Sequence, residues 1–303
     1  MLEVEEMGWS QKGKIFALKE FTQYDKFVKE REALDHFSGS NPGHDHLARL
    51  LLSFDQAGKW YMIFDWADAD LENFWKRFSV DPKSHTHLRW FITQCCGMAQ
   101  GLSRVHGDWV KPHISTNIPH IPDRGRHGDI KPGNILCFNQ DAGRMTDYRL
   151  VIADFTLMRF HSPDSLGATS ASSVAYSESY RPPEKDIRGT VKIDQLYDVW
   201  TIGCVFLEFV TWYLLGYEAV KGKFFRHLGR DVDCFQQVRM RGKIGTSGIA
   251  QDDFFEMKKM SFLMFPARVK PSVAKVSYLY NWKIATSTHF LFAFAVVSFF
   301  TPK

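Results

Sequence analysis

Asp129, Lys131 and Asn134 lie within one short run, Arg126-His127-Gly128-Asp129-Ile130-Lys131-Pro132-Gly133-Asn134, and together they could move a phosphoryl group. A carboxylate at position 129 could accept the proton of an attacking hydroxyl. The ammonium of Lys131 could neutralise charge on the transferring phosphate, and Asn134 could hold a metal ion. Further along, Leu150-Val151-Ile152-Ala153-Asp154 is an apolar run ending in a second carboxylate, which would be another metal ligand. Chemistry of this kind depends on placement and electrostatics more than on covalent help, so the elements carrying these side chains decide whether it can occur.

Those elements are legible in part. Lys14 to Phe21 reads as a strand after a turn at Gln11-Lys12-Gly13, with Val4 to Trp9 as its hairpin partner. Tyr24 to Phe37 carries apolar residues at helical spacing, among them Phe27, Val28, Leu34 and Phe37. Pro42-Gly43 breaks the chain. Leu47 to Phe54 and Lys59 to Phe64 then form two strands joined by a turn at Ala57-Gly58. Leu88 to Val105 predicts a long helix with one buried face. Gly107 to Gly125 has no clear period and reads as an inserted loop, and Ser162 to Ser179 is rich in Ser, Thr and Ala. Val199 to Leu215 is apolar but interrupted by Glu208, and it is shorter than the ~20 residues a membrane span needs. It is expected to be a buried core helix. Phe290 to Phe300 is also too short to span, and a membrane anchor there is the minority reading.

Composition narrows the class. With 45% hydrophobic and 15% aromatic residues, the chain can bury a sizeable core, which excludes disorder throughout. A formal charge of +4 without a dense Lys/Arg block gives no reason to expect nucleic-acid binding. Five cysteines are an odd count without metal-ligand spacing, so a reduced, intracellular compartment is expected, cytoplasmic or nuclear. The acidic N-terminus shows no basic region before an apolar run, so no secretory signal is expected.

The spacing from Asp129 to Asn134, followed by Asp154-Phe155-Thr156, resembles the protein kinase catalytic loop H-R-D-x-x-x-x-N and the later D-F-G. Phe16-Ala17-Leu18-Lys19 is similar to the strand motif V-A-I-K of that family, Tyr180-Arg181-Pro182-Pro183-Glu184 to A-P-E, and Asp198-Val199-Trp200-Thr201-Ile202-Gly203 to the start of the central helix. The resemblance covers roughly Ile15 to Leu215. The form Gly125-Arg126-His127-Gly128-Asp129, the long insert before it and Asp253-Phe254-Phe255-Glu256 are similar to a divergent group of fungal kinases.

The resemblance implies an α+β, two-lobed fold: a small β-rich lobe over residues 1–66, a helical lobe over 67–273, both incomplete, and a divergent aromatic tail over 274–303. It implies ATP and Mg2+ as cofactors and a protein substrate, with the oligomeric state open. Lys19 would reach the α and β phosphates, held by Glu30, with Glu32 as the competitor. The carbonyl of Asp65 and the amide of Ala67, beyond a gatekeeper at Phe64, would pair with the adenine edge. Asp129 and Lys131 would be catalytic, and Asn134 and Asp154 would hold metal. Glu184 and Asp198 would be structural, and Ser177 falls where a threonine contacts the catalytic aspartate. The implied activity is that of a protein serine/threonine kinase. Its rivals are a non-enzymatic interaction module and a small-molecule phosphotransferase, which shares the H-G-D form.

Four departures from the family pattern stand out. No G-x-G-x-x-G precedes Lys19, where only Gly8 and Gly13 are available. Gly128 replaces the arginine that would pair with a phosphorylated activation segment. Thr156 replaces the D-F-G glycine, and a β-branched residue there would resist positive φ at ~1–3 kcal/mol. The tail after Pro266 to Val273 lacks recognisable final helices and the arginine expected to pair with Glu184. The missing glycine loop and helices are expected to impair activity, as in a truncated kinase.

Overall fold

The computed structural model describes residues 15–38, 43–82, 84–107, 124–141, 143–161, 169–170, 177–183, 192–222, 225–227, 230–232, 234–240, 254–257, 267–270 and 273. Val4 to Trp9, Gly8, Gly13, Glu184, Asp253, most of the expected insert and the aromatic tail lie outside them. The chain divides into two units. The first comprises residues 1–74 and 96–166, and the second residues 75–95 and 167–303.

The first unit begins with β1 (Phe16–Phe21), α1 (Tyr24–Ser38), β2 (Leu50–Gln56) and β3 (Lys59–Asp65). The three strands form an antiparallel sheet in the order β1-β3-β2, with Lys19 opposite Met62 and Ala17 opposite Phe64. The β2–β3 turn places Ala57 at φ 51° and Gly58 at φ 76°. Two successive positive φ values match the right-handed twist of a tight hairpin, which is why glycine suits the second position. Met62, Phe27, Ala33 and Leu34 are buried. The strand expected from Leu47 starts later, at Leu50. Leu47 instead makes a parallel bridge with Ile152, and backbone bonds run from Ala48 N to Ile152 O (2.8 Å) and from Ile152 N to His46 O (2.9 Å).

A second sheet completes this unit. Along the chain come β4 (Ala69–Asp70), α2 (Leu71–Arg77), α3 (His85–Val105), β5 (Arg124–Arg126), β6 (Ile135–Asn139), β7 (Tyr148–Ile152) and β8 (Arg159–His161). Strands β4, β6 and β7 are antiparallel with β6 central, and β5 pairs with β8. Gly97 on α3 permits a close approach: a Cβ there would lie 2.1 Å from His46 Nε2. The His46 ring in turn donates from Nδ1 to Leu150 O at 2.7 Å. The segment before β2 is thus held between α3 and β7, the strand that leads to Asp154.

The second unit is built on α4 (Leu196–Leu215), followed by α5 (Tyr217–Lys221) and α6 (Phe235–Met240). Phe209 is its aromatic centre, with ring centroids of Phe91 at 4.6 Å, Trp212 at 5.7 Å, and Trp75 and Trp90 at 6.0 Å. The helix is 20 residues long, starting at Leu196 rather than Val199, so the length argument against a membrane span does not hold. Among the described residues it is the one helix long and apolar enough to cross a membrane, and 67% of its most apolar stretch is buried inside the structure. A core helix has that character.

Glu208, the charge that interrupts the run, is fully buried and paired. Arg239 Nη1 donates to its Oε1 at 2.6 Å, and Tyr180 Oη donates to its Oε2 at 2.7 Å. The Arg239 guanidinium also lies 4.4 Å from the Phe254 ring and 5.0 Å from that of Phe235. All five cysteines are free thiols.

Candidate active site

Alternation along β1 fixes which residues face inward together. Ala17 and Lys19 share a face, and both line a cavity of about 1530 Å³ that lies wholly within the first unit. Lys19 Nζ lies 2.7 Å from each carboxylate oxygen of Glu30 on α1. The competitor Glu32 is exposed. Lys19 Nζ also donates to Asp154 Oδ1 at 2.8 Å and to Thr156 Oγ1 at 2.9 Å. Three elements therefore converge on one ammonium.

The charge states follow from competing effects. Burial pushes the Lys19 ammonium down, yet the charges and hydrogen bonds of Glu30 and Asp154 outweigh it and the net shift is up. Burial pushes the Glu30 carboxyl up, and Lys19 and Thr156 only partly offset it. Asp154 is more exposed. Burial again pushes it up, but the Lys19 charge and the hydrogen bonds from Lys19 and Thr156 bring it down to about 2. Asp154 is thus held as a carboxylate.

The second cluster is the 126–134 loop. Lys131 Nζ donates to Asp129 Oδ2 at 2.7 Å. Asn134 Nδ2 donates to both Asp129 O and Asp129 Oδ2 at 2.9 Å, which leaves its amide oxygen as the acceptor. Asp129 and Asn134 are both buried to about nine-tenths. Gly128 takes φ 85°, a region that favours glycine, and a Cβ there would lie 3.2 Å from Leu157 O.

One residue joins the two clusters. Ala153 N donates to Asn134 O at 2.9 Å, and His127 Nε2 donates to Ala153 O at 3.2 Å. His127 accepts the Asp129 amide at Nδ1 (3.3 Å), which selects the tautomer protonated on Nε2. Its ring is fully buried, with its centroid 4.9 Å from that of Phe155. Sequence reasoning quoted His127 within the motif but gave it no role. Its signal was its place two residues before the carboxylate.

Asp154 itself adopts φ 66°, ψ 76°. Thr156 lies in the 3-10 turn Phe155–Leu157 that follows, and does not have positive φ. The strain expected at Thr156 is therefore absent. Asp154 takes the left-handed conformation instead, which Asp tolerates better than most residues.

Asp65 and Ala67 line the same cavity where the chain leaves β3, beside Phe64 and Trp66. Among the described residues no three His, Cys, Asp or Glu side chains cluster as a metal cage. Any ion at Asp154 and Asn134 would rest on two hard oxygens and ligands brought with the substrate. That sparse set fits Mg2+, which keeps waters and phosphate oxygens in its shell.

Comparison with known proteins gives a consistent picture. Probable cyclin-dependent kinase 8 of Dictyostelium discoideum is 30% identical over 152 residues, covering 50% of this chain and 34% of that protein. Cyclin-dependent kinase C-1 of Arabidopsis thaliana is 30% identical over 149 residues, covering 49% and 24% respectively. Mitogen-activated protein kinase 9 of Arabidopsis thaliana is 28% identical over 151 residues, covering 50% and 24%. The chain thus spans about a third or less of these relatives' own lengths. A crystal structure of the yeast RNA Pol II CTD kinase CTDK-1 complex aligns at a TM-score of 0.48 and 24% identity, covering 65% of this chain and 54% of that one. The family described as the protein kinase domain matches residues 3–243, a span that takes in β1, the 126–134 loop, Asp154 and α4. A match of that extent makes this chain a member of the protein kinase family, with the family's α+β fold.

Proposed function

We propose that this chain is a protein serine/threonine kinase that transfers the γ-phosphoryl group of ATP to a protein hydroxyl. The observation that carries the reading is the assembled Lys19–Glu30 pair, at 2.7 Å, beside Asp154 and in the same unit as the Asp129–Asn134 loop. In this reading adenine enters the cavity against the Asp65 carbonyl and the Ala67 amide. Lys19 holds the α and β phosphates, and Glu30 keeps Lys19 extended toward them. Asp154 and the amide oxygen of Asn134 would hold Mg2+, and that ion would supply neutralisation of phosphate charge.

Asp129 orients the attacking hydroxyl and accepts its proton, while Lys131, already on the Asp129 carboxylate, stabilises charge on the transferring group. Buried Asp198 and the Tyr180–Pro183 segment, with the family's peptide-docking motifs, favour a protein substrate over a small molecule. We further assign the chain to an intracellular compartment, in keeping with its five free thiols. Residues 1–66 and 67–273 would form the small and large lobes.

The test is a phosphotransfer assay with labelled ATP, Mg2+ and Ser/Thr peptide mixtures, run on the chain and on Asp129→Asn. Asparagine keeps the shape but is a poor proton acceptor, so the rate should fall by about 10²–10⁴-fold. Transfer undiminished in Asp129→Asn refutes the catalytic assignment. Transfer to small hydroxyl compounds but to no peptide refutes the substrate class.

A further inference from the structure

Thr156 occupies the place where the family carries glycine, and its hydroxyl touches Lys19, Glu30 and Asp154 alike. It accepts from Lys19 Nζ at 2.9 Å, and lies 2.7 Å from Glu30 Oε2 and 2.5 Å from Asp154 Oδ1. A hydroxyl has one proton. It can donate to Glu30 or to Asp154, not to both at once. The cluster brings two carboxylates to one ammonium, leaving an excess negative charge in a partly buried place. The hydroxyl is the neutral donor that lets the two carboxylates approach the same cation.

We propose that Thr156 is a positioning residue that holds Asp154 on the Lys19–Glu30 pair before nucleotide arrives, a function the family's glycine cannot perform. The reading rests on the kinase assignment only for what Asp154 is positioned to do. Three observations support it. The 3-10 turn accommodates a β-branched residue without positive φ, so the threonine is compatible with the local backbone. The hydroxyl faces inward, toward β1 and α1, rather than to solvent. The positive φ of Asp154 points its carboxylate back toward the same cation, and the Thr156 bond closes that turn across two residues.

Were a cation to take up the Asp154 carboxylate, Asp154 would be the weaker acceptor and the hydroxyl proton would turn to Glu30, which would keep two donors. No bond to carbon changes; one O–H rotates. Valine has nearly the same shape but cannot do this. Serine can.

Two measurements test the proposal. The first uses the nucleotide-free chain: urea unfolding of wild type, Thr156→Val, Asp154→Asn and the double variant. A hydrogen bond to a charged group predicts that the folding equilibria of the two singles fail to add by about tenfold. Strict additivity overturns the proposal, because a merely space-filling methyl would not couple to the carboxylate. The second is Mg2+-ADP affinity by calorimetry. Thr156→Val should bind roughly 3–10-fold more weakly, and Thr156→Ser within about twofold of wild type. Valine binding as tightly as wild type, or serine as weakly as valine, also overturns it. If the wild type shows no Mg2+-dependent affinity for ADP, the kinase reading fails, and the unfolding cycle alone decides the role of Thr156.

Discussion

Replacing Lys19 by methionine isolates what the ammonium does for the fold. The substitution keeps the aliphatic stem but removes the donor to Glu30, Asp154 and Thr156. Asp154 is 41% exposed on its side chain and can turn to water, whereas Glu30 is only 2% exposed. Glu30 then has two options: to stay charged with only the Thr156 hydroxyl, or to take up a proton. The second caps the cost. Protonating a carboxyl whose ordinary value is 4.5 costs, at pH 7, about 2.5 × 1.36, or ~3.4 kcal/mol.

The native pair offsets the burial of Glu30 only in part, since burial leaves Glu30 pushed up even while Lys19 gains from its partners. The expected penalty at pH 7 is therefore ~2–3 kcal/mol, just below the cap. At pH 5 the cap falls to about 0.7 kcal/mol, and the penalty should shrink with it. The sign is fixed by linkage: in the variant, Glu30 has a folded value above its unfolded one, so its stability rises as pH falls. Urea unfolding of both proteins at pH 7 and pH 5 measures this. A penalty at pH 5 as large as at pH 7 would refute the reasoning.

Other outcomes follow from single contacts. Gly97→Ala should destabilise the chain by ~1–3 kcal/mol, because the new methyl falls on the His46 ring, and a thermal melt reads it directly; His46→Ala should relieve part of that loss. Arg239→Met should cost ~3–5 kcal/mol in urea unfolding, since Glu208 is left fully buried without its cation, while Arg239→Met combined with Glu208→Leu should recover most of it. A single-variant cost below ~1 kcal/mol would show that Glu208 finds other compensation.

Much of this architecture could be read from the residues, and the failures have local causes. Strand β1 and helix α1 could be read from short-range periodicity, whereas the choice of Glu30 over Glu32 as the partner of Lys19 came from the family resemblance. The Ala57-Gly58 turn was equally visible, since few residues accept two positive φ values. Leu47 was misplaced in a strand because its partner, Ile152, is remote in sequence. Helix α3 starts at His85, before its apolar period begins, because Ser84 caps it: Leu88 N donates to Ser84 O and His87 N to Ser84 Oγ. Helix α4 likewise starts early, where Asp194 Oδ1 accepts the Leu196 amide and an exposed Leu196 hid the boundary. Thr156 was read as a source of strain because the pattern locates a glycine, whereas backbone geometry located the positive φ two residues earlier.

Ala153, whose N–H donates to Asn134 and whose carbonyl accepts from His127, ties the two carboxylates together through the two peptide planes that meet at its Cα. A shift of that one residue carries the Asp129 loop and the root of Asp154 together, so their mutual spacing is little changed by it. Displacing β1 or α1 does the opposite and shifts Lys19 against both. Errors transmitted from β1 or α1 therefore register at the Lys19 cluster, while the spacing of Asp129 and Asp154 survives. A lesion at Ala153 would instead disturb that spacing.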